Sequence, residues 1–178
     1  MTSLDYGHLP SVTQAIAGAG LIDLTFFTEA GRERGTDVHA ACQYHDEGTL
    51  ENEDDLELQV ALRLRQYQQF KADMGDQYAI EAIEQFVVDP LRGYIGHPDR
   101  IVTLQGRRGI LDLKGPTCSK WIGLQLAAYA RAVKVRFRWS LHLSDEKYHL
   151  KEWSAVQEPS DYAAFCAALT LHNWKARV

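Results

Sequence analysis

Asp99, Asp112 and Lys114 are the residues of this 178-residue chain whose types and spacing suggest chemistry. Asp112 and Lys114 lie two apart in the apolar segment GILDLKG. On a strand both side chains leave one face, while Leu113 points into the opposite layer. The preceding segment, YIGHPDRIVTL, runs into the turn sequence QGRRG. An antiparallel hairpin turning about Gly106 sets Asp99 opposite either Asp112 or Lys114. Two carboxylates and an ammonium then converge, a set suited to phosphodiester hydrolysis. The carboxylates hold a hard divalent cation, which polarises a phosphate oxygen and acidifies a bound water. The lysine orients that water and stabilises the charge developing on the phosphorane. From the hairpin alone, a structural Asp–Lys pair on an exposed surface is the alternative.

The elements that must position these groups follow from local signals. Pro98 donates no ladder hydrogen bond, so a bulge is expected that re-aims Asp99, and Gly96 suggests a close backbone approach. Upstream, SVTQAIAGAG reads as a short helix ended by Gly18 and Gly20. Thr28 is expected to cap a second helix running to Gly48, with Gly31 and Gly35 spaced to admit another backbone. Asn52 is expected to cap a third, with Leu56, Val60, Leu64 and Tyr67 at helical spacing up to Gly75. YAIEAIEQFVV, YIGHPDRIVTL and GILDLKG then read as a three-stranded antiparallel meander. Ser119 is expected to cap SKWIGLQLAAYARAV, VRFRWSLHLS and YHLKEWSA alternate as strands, and Pro159 and Ser160 open a last helix. The expectation is a single domain over 1–178, mainly helical over 1–75 with the sheet core in 78–155. Its fold class is α/β (α+β), with a small, mainly antiparallel mixed sheet flanked by helices.

Composition bounds the function. Hydrophobic residues make up 46% and charged residues 24% of the chain, the balance of a globular protein able to bury a core without disulfides. The three cysteines, Cys42, Cys118 and Cys166, form no CxxC pair and read as reduced thiols. MTSLDYGHLPS lacks a basic region followed by an apolar run, and no segment reaches the length of a membrane span, so a cytoplasmic protein without membrane association is expected. The net charge of −5 is segregated. Seven acids and no bases lie between Asp46 and Glu57, which reads as a solvated face. Between Arg100 and Arg138 nine bases accompany the single acid Asp112, a distribution that suits either a nucleic-acid partner or a second solvated face. Arg131, Lys134, Arg136 and Arg138 are candidates to track a DNA backbone, the last two sharing a strand face.

Pro98-Asp99 followed by Asp112-Leu113-Lys114 resembles the signature of the PD-(D/E)xK nucleases, whose core is restriction-endonuclease-like. The flanking residues resemble the RecB-type branch, which includes the CRISPR adaptation nucleases and the mitochondrial genome maintenance exonuclease. His39 in GTDVH matches that branch's helical histidine, Glu84 a glutamate on the preceding strand, and Gln125 with Tyr129 its Gln-x-x-x-Tyr. The motifs span roughly residues 35 to 130. The resemblance implies that Asp99, Asp112, His39 and the main-chain carbonyl of Leu113 hold Mg2+ or Mn2+, with Glu84 as a further ligand or support. It also implies that Lys114 positions the attacking water and that Gln125 and Tyr129 meet DNA or that water. For Tyr129 and its neighbour Trp121, core packing is the competing role. Three cysteines do not supply the four that an iron–sulfur cluster needs, and no phosphate-binding G-x-x-x-x-G-K-[ST] loop is present.

The opening LPSVTQAIAGAGLID resembles phage-encoded exonucleases. The expected function is therefore a metal-dependent DNA exonuclease in recombination, repair or degradation, acting alone or with a separate recombination or replication protein. A catalytically silent DNA-binding subunit is the rival from another class.

Overall fold

The computed structural model describes residues 6–22 and 28–177. Met1–Asp5, at the start of the stretch read for a leader, and Asp23, at the end of the phage-like opening, lie outside them. Helices α1 (Val12–Gly18), α2 (Glu29–Glu47) and α3 (Leu58–Met74) precede strands β1 (Tyr78–Ile83), β2 (Val87–Asp89), β3 (Tyr94–Gly96), β4 (Arg100–Leu104) and β5 (Arg107–Lys114). Helix α4 (Trp121–Val133), β6 (Phe137–Leu143), β7 (Tyr148–Glu152) and α5 (Glu158–Lys175) complete the chain.

Local chemistry sets several helix ends. Ser11 and Gln14 exchange side-chain and main-chain hydrogen bonds in a capping box at α1. Thr28 accepts from the Gly31 N–H to open α2, which Gly48 closes in the left-handed region. Two expected caps are corrected. Asn52 caps only the short 3-10 turn Glu53–Asp55, because Leu56 turns extended and packs on the core, so α3 begins at Leu58. Ser119 gives its main-chain carbonyl to Ile122, and Lys120 precedes α4 without a side-chain cap. Among the described residues, Gly31 and Gly35 face no neighbouring backbone, so the close approach expected on α2 is not found there.

The main sheet has the order β1-β4-β5-β6-β7. Its pairs are antiparallel except β5 with β6, which run parallel because α4 crosses between them. This is the helix-flanked, mainly antiparallel mixed sheet expected from the sequence. The meander is modified, since both of its first two strands divide. Glu84 takes a left-handed φ of 45° after β1, and His97-Pro98-Asp99 separates β3 from β4. The outer halves, β2 and β3, peel away as their own two-stranded ladder. Gln105 and Gly106 both have positive φ, the two-residue turn whose twist suits a hairpin, and Arg100 pairs with Leu111.

Alternation along β4 and β5 divides the core. Ile101 and Ile110 pack with Leu126, Tyr129 and Phe165 on the α4 side. Val102, Leu111 and Leu113 pack with Leu64, Tyr67 and Trp139 on the α2–α3 side. Burying an aliphatic side chain of this kind contributes about 1.5–3 kcal/mol, so the strand carrying Asp112 is held on both faces. Among the described residues, no helix is long and apolar enough to cross a membrane.

Candidate functional site

The site forms where the sheet splits. Beyond the Arg100–Leu111 pair the β4–β5 ladder ends, and the side chain of Asp99 takes over: its Oδ2 accepts the Leu113 N–H at 2.6 Å. The N–H and C=O of a strand residue leave on one edge, so the Leu113 carbonyl also lies on the Asp99 side. The main chain of Asp99 is fixed as well, its carbonyl accepting from the Glu84 N–H at 3.0 Å and from Arg100 Nη1 at 2.7 Å. That fixation brings Glu84 to Asp99 across the split.

His39, from the middle of α2, places Nδ1 3.4 Å from Asp99 Oδ2. His39, Glu84 and Asp99 each offer one ligand atom, all within 4.8 Å of one another, and together could hold a metal ion. Asp112, 1% exposed, is paired with the Lys114 ammonium. The structure thus gathers Asp99, Asp112, Lys114, His39 and Glu84, with the two aspartates in different surroundings.

The electrostatics show that difference. Burial opposes ionisation of Asp99, but His39, Lys114 and the Leu113 N–H outweigh it and hold the carboxyl at about 2. Burial and the neighbouring Asp99 push Asp112 up to about 6 against the pull of Lys114. Burial and Asp99 likewise push Glu84 up to about 6. At His39 and Lys114 burial disfavours the charged form, yet the facing carboxylates prevail and both are raised. Acids crowded against one another in this way release their strain when a cation enters. With oxygen and imidazole donors and no thiolate, the set fits a hard or borderline divalent ion.

Gln125 and Tyr129 stand beside this group on α4, both nearly buried, with Gln125 Nε2 3.4 Å from the Tyr129 hydroxyl and from Thr13 Oγ1. Gln125 Oε1 is buried without a partner among the described residues. Burial and the charge of Asp112 raise the Tyr129 phenol, keeping it protonated. Its ring occupies the space a side chain at position 96 would need: a Cβ there would lie 2.4 Å from Cε1, which is the close approach expected at Gly96. Trp121 is partly buried, with the Lys114 ammonium 5.5 Å from its ring centroid.

The basic stretch does not form one face. Arg100 is buried against Asp46, and Arg107, Arg108 and Arg131 pair with Glu152, Glu81 and Glu158. Arg138 is wholly buried, donating to Asp161, the Gly123 carbonyl and the Ser154 carbonyl. The expectation that Arg136 and Arg138 share a face is corrected, because β6 turns Arg138 inward under α4 while Arg136 precedes the strand and is exposed. Arg131, Lys134 and Arg136 do line one cleft, together with Glu158. That cleft sits at the far end of the sheet: Phe137 pairs with Gly109, whereas Lys114 pairs with His142 five residues along, roughly 17 Å at about 3.3 Å per residue.

Asp46 was the residue whose role the sequence concealed. It lies in the acidic run, yet its side chain is fully buried and accepts from Tyr67 (2.7 Å), Lys71 (2.6 Å) and Arg100 (2.8 Å). Its spacing of seven from His39 on one helix was the available signal. The three cysteines are free, and burial pushes the Cys42 thiol up to about 12.

No protein-family profile and no curated protein sequence matches the chain. Among solved structures it is similar to LHK-Exo, crystallised in complex with dAMP, at 11% identity over 94% of this chain and 89% of that one, with a TM-score of 0.46. It is also similar to SSO0001, at 11% identity over 74% and 73%, with a TM-score of 0.34. Both are likenesses of fold at low identity.

Proposed function

We propose that this chain is a metal-dependent deoxyribonuclease of the PD-(D/E)xK type, in its RecB-type branch, and acts as an exonuclease in DNA recombination, repair or degradation. The observation that carries the proposal is the gathering of His39, Glu84 and Asp99 within 4.8 Å, beside a buried Asp112–Lys114 pair. A pure binding module has no use for clustered acids where phosphates must approach.

Asp99, Asp112, the Leu113 carbonyl and His39 are the proposed ligands of Mg2+ or Mn2+, with Glu84 as a further ligand or support. When bound, the cation supplies polarisation of a phosphate oxygen and acidification of a water. Lys114 is the group left to direct that water, since an ammonium donates hydrogen bonds and cannot ligate. Release of Lys114 from Asp112 frees a carboxylate and a donor together. Tyr129, held protonated, and Gln125, whose carbonyl oxygen has no partner among the described residues, meet the water or the nucleotide from the α4 side.

Incubation of end-labelled linear and covalently closed DNA with Mg2+, Mn2+ or chelator tests this reading. Metal-dependent loss of label from the linear substrate alone is the expected outcome. DNA binding without hydrolysis under every metal would make the chain the silent DNA-binding subunit instead.

A further inference from the structure

Beside the strand that carries Asp112 and Lys114, on the same face of the sheet, runs a buried chain of hydrogen bonds. Trp153 Nε1 lies 2.9 Å from Ser140 Oγ, Ser140 Oγ 2.9 Å from His142 Nε2, and His142 Nδ1 3.0 Å from the Gly115 carbonyl oxygen. An indole N–H only donates and a carbonyl only accepts. The Gly115 end therefore requires the proton on His142 Nδ1, which in a neutral ring leaves Nε2 as the acceptor. Ser140 accepts from Trp153 and passes its own hydrogen to Nε2. Ser140 is 0% and His142 3% exposed, so water does not compete for these groups. Burial and the nearby His149, Lys114 and Lys151 outweigh the Gly115 hydrogen bond and lower the His142 pKa, in keeping with a neutral ring.

The place of this chain matters for Lys114. The β5–β6 ladder ends at the Lys114–His142 pair, and Gly115 is the next residue. The backbone leaves the ladder there, and His142 Nδ1 holds the carbonyl of the first residue beyond it. A second tie holds the same loop lower down, where Lys151 Nζ lies 3.2 Å from Cys118 Sγ. We propose that His142 is a positioning residue that acts through the Gly115 carbonyl to set where the Lys114 ammonium stands. The inference rests on the nuclease reading for its consequence in catalysis, and on the geometry alone for its consequence at Lys114. Ligands that precede Lys114 in β5 stay anchored by Asp99 and the ladder, so metal affinity is not the property His142 controls.

The two ring nitrogens can be replaced separately. In His142→Asn the side-chain amide reaches the Nδ1 position and can still donate to Gly115, whereas in His142→Gln it reaches the Nε2 position and serves Ser140 only. Misplacing a catalytic group by about 1 Å can lower turnover on the order of 100-fold. The Gln variant should therefore lose about 10- to 100-fold in kcat, with KM and metal affinity little changed, and the Asn variant should recover most of it. Nitrogen NMR of the wild-type imidazole should show Nδ1 protonated and Nε2 bare, and the Lys114 ammonium resonance should shift in the Gln variant but not in the Asn variant. Equal activity in the two variants, loss of kcat that merely tracks melting temperature in both, or a proton on Nε2 would overturn the assignment. A wild type inactive with every metal would sink the nuclease reading. The Lys114 resonance would still decide the positioning claim.

Discussion

Arg100 and Asp46 form an ion pair sealed from solvent, Nε to Oδ2 at 2.8 Å, with side chains 1% and 0% exposed. The same guanidinium donates to the Asp99 carbonyl, so an acid on α2 holds in place the strand residue next to Asp99. Replacing Asp46 with Ala leaves a buried cation without its counter-charge, which costs about 3–5 kcal/mol. Urea denaturation should show a loss of that size. A loss below about 1 kcal/mol would mean that water reaches Arg100 and that the pair is not a buried anchor.

Asp112→Ala and Asp99→Asn should each abolish DNA hydrolysis while the far-ultraviolet dichroism of the fold persists. Lys114→Ala should lose most turnover yet still bind metal by calorimetry, because its contribution is to the transition state. Equal loss of metal binding in the lysine and aspartate variants would contradict this division of roles.

His39→Ala removes one of several ligands, which weakens a site without destroying it, so activity should return in part as Mn2+ is raised. If the folded variant stays inactive at every metal concentration, His39 acts in the reaction itself.

Metal affinity should fall as pH drops through about 6. Asp112 and Glu84, both pushed up to about 6, hold protons below that pH, and a cation needs them ionised. Both folded pKa values exceed the ordinary carboxylate range, so the folded state binds more protons than the unfolded chain between about pH 4 and 6. Stability of the metal-free protein from these groups is full below that window and is lost as pH rises through it. Added Mg2+ should lessen the loss. Calorimetric titrations at pH 5 and 7.5 check the first part and melting curves the second, and equal affinity at both pH values would refute it.

Arg138→Ala should lower the melting temperature, because it empties a buried site and strips Asp161 of its partner, whereas Arg136→Ala should leave stability within about 0.5 kcal/mol. If the far-end cleft contacts DNA, Arg136→Ala also makes the salt dependence of binding shallower by about one unit. An unchanged slope would remove that cleft from the DNA path.

Asp99, Asp112 and Lys114 were legible because a short hairpin is a local object. The turn at Gly106 and the two-residue period of a strand place them without knowledge of the rest of the chain. Helix ends marked by Thr28 and Gly48 were legible for the same reason. His39, Glu84, Gln125 and Tyr129 were named from a resemblance of motif order, since no local period links a helix of the first quarter to a strand split at Glu84. The sequence by itself determined the order of the helices and of the strands of the main sheet, the alternation that sends Leu113 to one core and Asp112 to the other face, and the hairpin that carries the acid pair. Tertiary structure alone decided which charges are free. Arg100, Arg138 and Asp46 look like surface residues in a charged run, but helices packing over both faces of the sheet bury them. A buried charge must find its partner wherever the fold brings one, 54 residues away for Arg100 and 23 for Arg138, and such long-range pairing leaves no periodic trace in the sequence.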